Sequence, residues 1–100
     1  MKKDIFENYV TLVMEQFKIS REEFFSRVKS REYAEARHLL YYLCYERKMR
    51  ISSIKTYMEE GGLKVAHSTI IHGIKHMTIW VMEDPDMEII AERIKSRITI

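Results

Sequence analysis

Apolar residues recur at three- and four-residue steps along most of this chain, and that period decides what it can fold into. Phe6, Tyr9, Val10, Val13, Met14 and Phe17 follow it, which predicts an amphipathic helix over 5–17. Ala36, Leu39, Leu40, Leu43 and Cys44 mark the longest periodic element, a helix from about Glu32 to Lys48 with Tyr33 near its start. Ile54, Tyr57 and Met58 place a shorter one at Ser53–Glu60. Ile70, Ile71, Ile74, Met77 and either Trp80 or Val81 line a helix from about Ala66 to Val81. Met87, Ile90, Ala91 and Ile94 line a last one from Pro85 to about Ser96. A short turn of helix fits Arg21 to about Ser26, with Phe24 and Phe25 in the core. Three glycines and one proline in 100 residues are few for a β-rich chain. The expectation is one all-α domain over residues 1–100, a compact bundle of about six helices.

Polar punctuation sets the boundaries. Asp4 with Glu7, and Ser20 with Glu23, have capping-box spacing. Ser30 and Ser52 are candidate N-caps for the helices that follow them. Gly61 and Gly62 stop the fourth helix, because glycine accepts the left-handed backbone found just past a helix end. Asp84 caps the last helix and Pro85 fits its first position.

The helices before and after Gly61-Gly62 form a helix-turn-helix candidate, over about residues 53–81. The second of them opens on His67, Ser68 and Thr69, with Ile70, Ile71 and Ile74 as an apolar face behind. Small donors and acceptors at the tip of an anchored helix suit the reading of base edges in a DNA groove. Charge agrees. Residues 1–17 carry two Lys against three acids, and residues 77–100 carry three Lys and Arg against five acids. The middle, 18–76, holds twelve Lys and Arg against seven acids. The basic surplus therefore surrounds the candidate helix pair, as expected of a face for a polyanion. Arg27-Val28-Lys29-Ser30-Arg31 is a basic connector without apolar periodicity. Arg47, Lys48 and Arg50 cluster at a turn, as either a solvated helix end or a phosphate clamp.

From Val13 to Met77 the chain resembles the C-terminal double-stranded-DNA-binding domain of the bacterial replication initiator DnaA. The resemblance lies in Phe17-Lys18-Ile19-Ser20-Arg21-Glu22-Glu23-Phe24-Phe25-Ser26, in Ser30-Arg31, and in Ala36-Arg37-His38-Leu39-Leu40-Tyr41-Tyr42-Leu43. Ile51-Ser52-Ser53-Ile54 looks like the start of that family's first helix-turn-helix helix. Gly61-Gly62, then His67-Ser68-Thr69-Ile70-Ile71-His72-Gly73-Ile74, is similar to the family signature. That signature is a glycine pair, Arg-Asp-His-Thr/Ser-Thr, an aliphatic pair and His. The resemblance implies a Trp-repressor-like helix-turn-helix bundle that binds duplex DNA. It implies base contacts from His67, Ser68 and Thr69, and a minor-groove or phosphate role for Arg31 with Arg27 and Lys29 beside it. It also puts Arg37 near the phosphate backbone; Lys55 and Lys64 are further candidates to anchor that backbone.

Two departures bear on readout. The family's Arg-Asp before His is Val65-Ala66 here, and Leu63 and Lys64 lengthen the turn by two residues. Aspartate accepts from a cytosine amino group and Ala66 cannot, so Ala66 is expected to lose that contact or to meet a thymine methyl. Lys64 is a displaced stand-in for the missing Arg. No Gly-x-x-x-x-Gly-Lys-Ser/Thr occurs in the 100 residues, so DNA binding is expected without the initiator's ATPase. The expected setting is control of replication or transcription, with a phage or mobile element as one home for such a detached domain. The alternative is a protein-interaction or self-association module on the same fold. Glu22, Glu23, Glu32, Glu35, Glu59 and Glu60, near the expected DNA face, keep that alternative open.

Other chemistry has little to stand on. His72 and His76 have i, i+4 spacing but no third ligand, and no Cys-x-x-Cys or His-Glu-x-x-His exists, so no metal and no cofactor are expected. His72 is expected to pack or hydrogen-bond inside. Cys44 and His38 lie six apart on different faces of one helix, and Cys44 reads as a core thiol. Arg37, Tyr41 and Tyr45 fall off the aliphatic stripe and are expected to face ligand or solvent; Tyr41, Tyr42 and Tyr45 are either stacking platforms or core-edge residues. No nucleophile–base pair or paired carboxylates point to an enzyme, and no small-molecule substrate is implied. A lone cysteine, the absence of an apolar run near 20 residues, and Glu7 interrupting the N-terminal apolar residues point to a cytoplasmic protein. Ile98 and Ile100, beyond the last helix, are read as closing the core or exposing apolar surface to a partner.

Overall fold

The computed structural model describes residues 2–98. Among them are six helices and no strand: α1 Lys2–Phe17, α2 Arg21–Phe24, α3 Arg31–Glu46, α4 Ile51–Glu60, α5 His67–Glu83 and α6 Pro85–Arg97. The expected helices hold element by element, with ends moved by no more than three residues. α3 is the scaffold. It packs chiefly on α5 and α1, and its Ala36, Leu39, Leu40, Leu43 and Cys44 are fully buried. Phe6, Val10 and Val13 of α1, Ile54 and Met58 of α4, Ile70 and Met77 of α5 and Ala91 of α6 close the core around it. Burial pushes the Cys44 thiol up, so it is a packed apolar group and no nucleophile.

The caps divide into those built by side chains and those built by backbone alone. Ser20 and Glu23 form the expected reciprocal box: Glu23 N–H donates to Ser20 Oγ at 3.1 Å and Ser20 N–H to Glu23 Oε1 at 2.8 Å. Asp84 accepts from the Asp86 N–H at 2.9 Å, with Pro85 opening α6. Asp4 instead lies inside the first turn of α1. Ser30 holds the N-cap position of α3, but its side chain makes no capping bond. Ser52 falls inside α4, whose N-cap is Arg50. Lys48, at φ 68°, turns the chain between α3 and α4.

The glycine pair has two separate reasons. Gly61 is helical, at φ −78°, and a Cβ there would run into the Phe25 ring. Gly62 has open space around it but sits at φ +114°. The Leu63 N–H donates to Met58 O at 3.1 Å and the Gly62 N–H to Glu59 O at 3.0 Å. That is the Schellman pattern, which satisfies the last carbonyls of α4. Leu63 is buried, as is Met58 three residues before the cap, the apolar pair that accompanies this motif. The lengthened turn is thus anchored through Leu63.

The C-terminal helix closes the core through Met87, Ala91 and Ile94, and Ile98 packs partly against it. Ile100 lies outside the described residues.

Candidate nucleic-acid interface

α5 presents its tip to solvent. Ala66 is its N-cap, and no side chain caps the helix. Ala66, His67, Ser68 and Thr69 are all exposed, while Ile70 directly behind them is fully buried. The first N–H groups of a helix lack intrahelical partners and carry the positive end of its dipole. An uncapped, exposed tip on a buried shaft can therefore donate to phosphate or to base acceptors.

Gly73 sets how closely α5 lies on α3. A Cβ there would stand 2.7 Å from His38 Cδ2 and 2.9 Å from Tyr41 Cδ2. This explains why Tyr41 is buried, against the expectation that it faces ligand or solvent. Burial pushes its phenol up to about 12. Tyr42 is also buried, and Tyr45 is exposed. His72 is exposed and does not pack inside; its ring stands edge-on to that of His38, with centroids 6.3 Å apart.

The basic connector folds beside the tip. One Nη of Arg37 donates to Phe24 O at 2.8 Å and to Ser26 O at 3.2 Å. Its half-buried guanidinium therefore fixes the start of the connector, where the sequence expectation faced it toward ligand or solvent. Arg27 donates to Lys64 O at 3.5 Å, and the Phe25 ring lies over Gly61. The connector is thereby tied to the turn of the helix pair.

A cleft of about 410 Å³ lies between them, and Arg27, Arg37, His38, Lys64, Ala66 and Thr69 all contribute to its wall. Lys29 and Arg31 are exposed nearby in the sequence of the connector; Arg31 opens α3, is 91% exposed, and pairs with Glu35 at 3.3 Å. His67 and Ser68 sit on the tip outside that cleft. Lys55 stands apart, on an edge of α4 shared with Thr56, Glu59 and Glu60.

His38 is the cleft residue that sequence reasoning missed as part of this site. Its Nδ1 is buried without a hydrogen-bond partner. Burial, with His76, His72 and Arg37 nearby, brings its pKa down to about 4, so it is neutral near pH 7. Its only signal in the sequence was its place next to Arg37 in the DnaA-like segment. Among the described residues, no three His, Cys, Asp or Glu groups are placed to hold a metal ion.

A helical bundle with an exposed recognition helix beside a basic loop defines a helix-turn-helix domain of the DNA-binding kind. The family model described as the bacterial DnaA protein helix-turn-helix matches residues 6–77, and the chain belongs to that family. No match was found among curated proteins or among solved structures.

Proposed function

We propose that this chain binds duplex DNA with a sequence preference and serves in the control of replication or transcription, without catalysing a reaction itself. The observation that carries the reading is the uncapped tip of α5 held next to the basic connector by Arg27, Arg37 and Phe25. In this reading α5 enters the major groove. His67, Ser68 and Thr69 meet base edges, and Ala66 offers its methyl to a thymine in place of the family's aspartate. Arg27, Lys29 and Arg31 reach phosphates or the adjacent minor groove, and Lys64 meets the backbone beside the tip. Arg37 acts by holding the connector, and Lys55 is a peripheral phosphate contact. DNA-bound protein would sit in the cytoplasm on the nucleoid; no described helix is long and apolar enough to cross a membrane.

The test is selection of bound sequences from a random duplex pool at two salt concentrations. An enriched motif and a steep loss of affinity with salt are expected. Arg31→Ala should weaken binding to all sequences and lower the salt slope by about 1. His67→Ala or Ser68→Ala should relax one base position, at about 1–3 kcal/mol of discrimination. A pool that returns no motif and no salt-sensitive binding removes the reading. A second reading, self-association, is favoured by the exposed Ile79 and Met82 on α5.

A further inference from the structure

Away from its tip, α5 carries a second surface. Ile71, Lys75, Ile79 and Glu83 are spaced four apart and so form one ridge of the helix. Ile79 is 54% exposed, and Lys75 and Glu83 are exposed with no ion pair among the described residues. An apolar groove of about 590 Å³ lies along the ridge, walled by Ile71, Ile74, Thr78 and Ile79 and by Tyr45 and Ile51 across from them. One turn past the groove, Met82 is 79% exposed, the most exposed large apolar side chain among the described residues.

We propose that this surface binds a second copy of this chain, with the two α5 helices antiparallel and related by a two-fold axis at Ile79. The charge order along the ridge is the argument. A two-fold at Ile79 turns residue 83 against residue 75, so Lys75 of each copy meets Glu83 of the other, twice. Ile79 meets its own counterpart. Met82 of the second copy falls between the levels of Lys75 and Ile79, where the groove is open to receive it. A basic group, an apolar centre and an acidic group at equal intervals are complementary to themselves when reversed. The i+4 ridges of two helices also interlock in the commonest packing class. Such a contact is isologous and closes at two copies.

The pairing centre, Ile79 and Met82, lies in the distal half of α5 with Lys75 at the helix middle, so these contacts stay clear of a tip on DNA. With a rise of about 1.5 Å per residue and a crossing near 50°, residues 67 of the two copies stand roughly 33–36 Å apart, close to one turn of duplex. That spacing rests on the DNA reading; the pairing itself does not.

Light scattering on the whole chain without DNA, from micromolar to millimolar concentration, tests the pairing. The mass should rise from 12.1 kDa toward twice that value. Lys75→Glu puts like charges together twice and should weaken the dimer by about tenfold or more. Glu83→Lys should do the same, and the double exchange Lys75→Glu with Glu83→Lys should restore it. Ile79→Glu should leave a monomer. Circular dichroism on each variant separates lost pairing from lost fold. A chain that stays monomeric at millimolar concentration overturns the proposal and leaves the groove to a different protein. So does a dimer indifferent to Lys75→Glu, or one the double exchange does not restore. A dimer whose duplex selection yields no motif keeps the pairing and sinks the DNA reading. A motif bound by a strict monomer does the reverse.

Discussion

His38 shows how one side chain can be set by its neighbours. Its ring fills the space that Gly73 leaves between α3 and α5, and its pKa falls from 6.5 to about 4 because burial disfavours the charged form. Unfolded chain therefore binds more protons than folded chain between those two values. Stability should be full above about pH 6.5, fall as pH drops through the window toward pH 4, and level off below it as far as this group is concerned. Thermal melts of wild type against His38→Gln check this: the variant should lose that part of the pH dependence. Arg37 belongs to the same scale. Because it holds two carbonyls of the connector, Arg37→Ala should weaken DNA binding little further in a chain that already carries Arg27→Ala and Arg31→Ala. Additive losses in binding assays on that triple variant would make it a direct phosphate contact instead. Neither residue's setting was legible in the sequence. His38 and Arg37 look like surface positions off an aliphatic stripe, and only the absence of a side chain at Gly73 and the path of the connector bring them inside.

At the scale of the element, the helices were legible and their ends only partly so. Apolar periodicity found five because each buries a single stripe against α3 or its neighbours, and the Ser20–Glu23 capping box found the short α2, which buries only Phe24. Ser20 with Glu23 and Asp84 with Pro85 could be read because those caps are made by side chains. Arg50 could not, since nothing but backbone caps α4. The glycine pair was placed correctly as a stop, but a pair of identical letters hid two causes, contact at Gly61 and φ at Gly62. Contact and backbone strain predict different outcomes, and Gly73, where contact also acts, can be compared with Gly62. Gly62→Ala should cost about 1 kcal/mol, the strain of a positive φ, with the fold unchanged. Gly73→Ala, where α3 is in the way, should cost about 1–3 kcal/mol through displacement of α5. Denaturant titration of the two variants measures both, and a Gly73→Ala loss below about 1 kcal/mol would contradict the close packing of α5 on α3.

At the scale of the molecule, the sequence located the basic surplus in the middle of the chain, and the fold brings three of those cations to one cleft. Arg27, Arg37 and Lys64 share a cleft although they come from the connector, α3 and the turn. Lys55 shares a charge pattern with them but stands on an edge with Glu59 and Glu60. Charge counts along a chain carry no information about which faces meet, so this separation needed the structure. Substituting Lys55→Ala should lower the salt slope of DNA binding by well under 1, as fits a peripheral contact, while Lys64→Ala should lower it by about 1.

The turn before α5 holds its shape through main-chain groups and one apolar anchor. Gly62 and Leu63 bond back to α4, Leu63 enters the core, and Arg27 reaches the Lys64 carbonyl and not its side chain. The side chains at positions 64 and 66 contribute almost nothing to that architecture. In the proposed DNA-binding mode, they can therefore change with the recognised site at little cost to folding. In that mode the turn can thus change what it meets in the groove at two positions, 64 and 66, while its scaffold stands still.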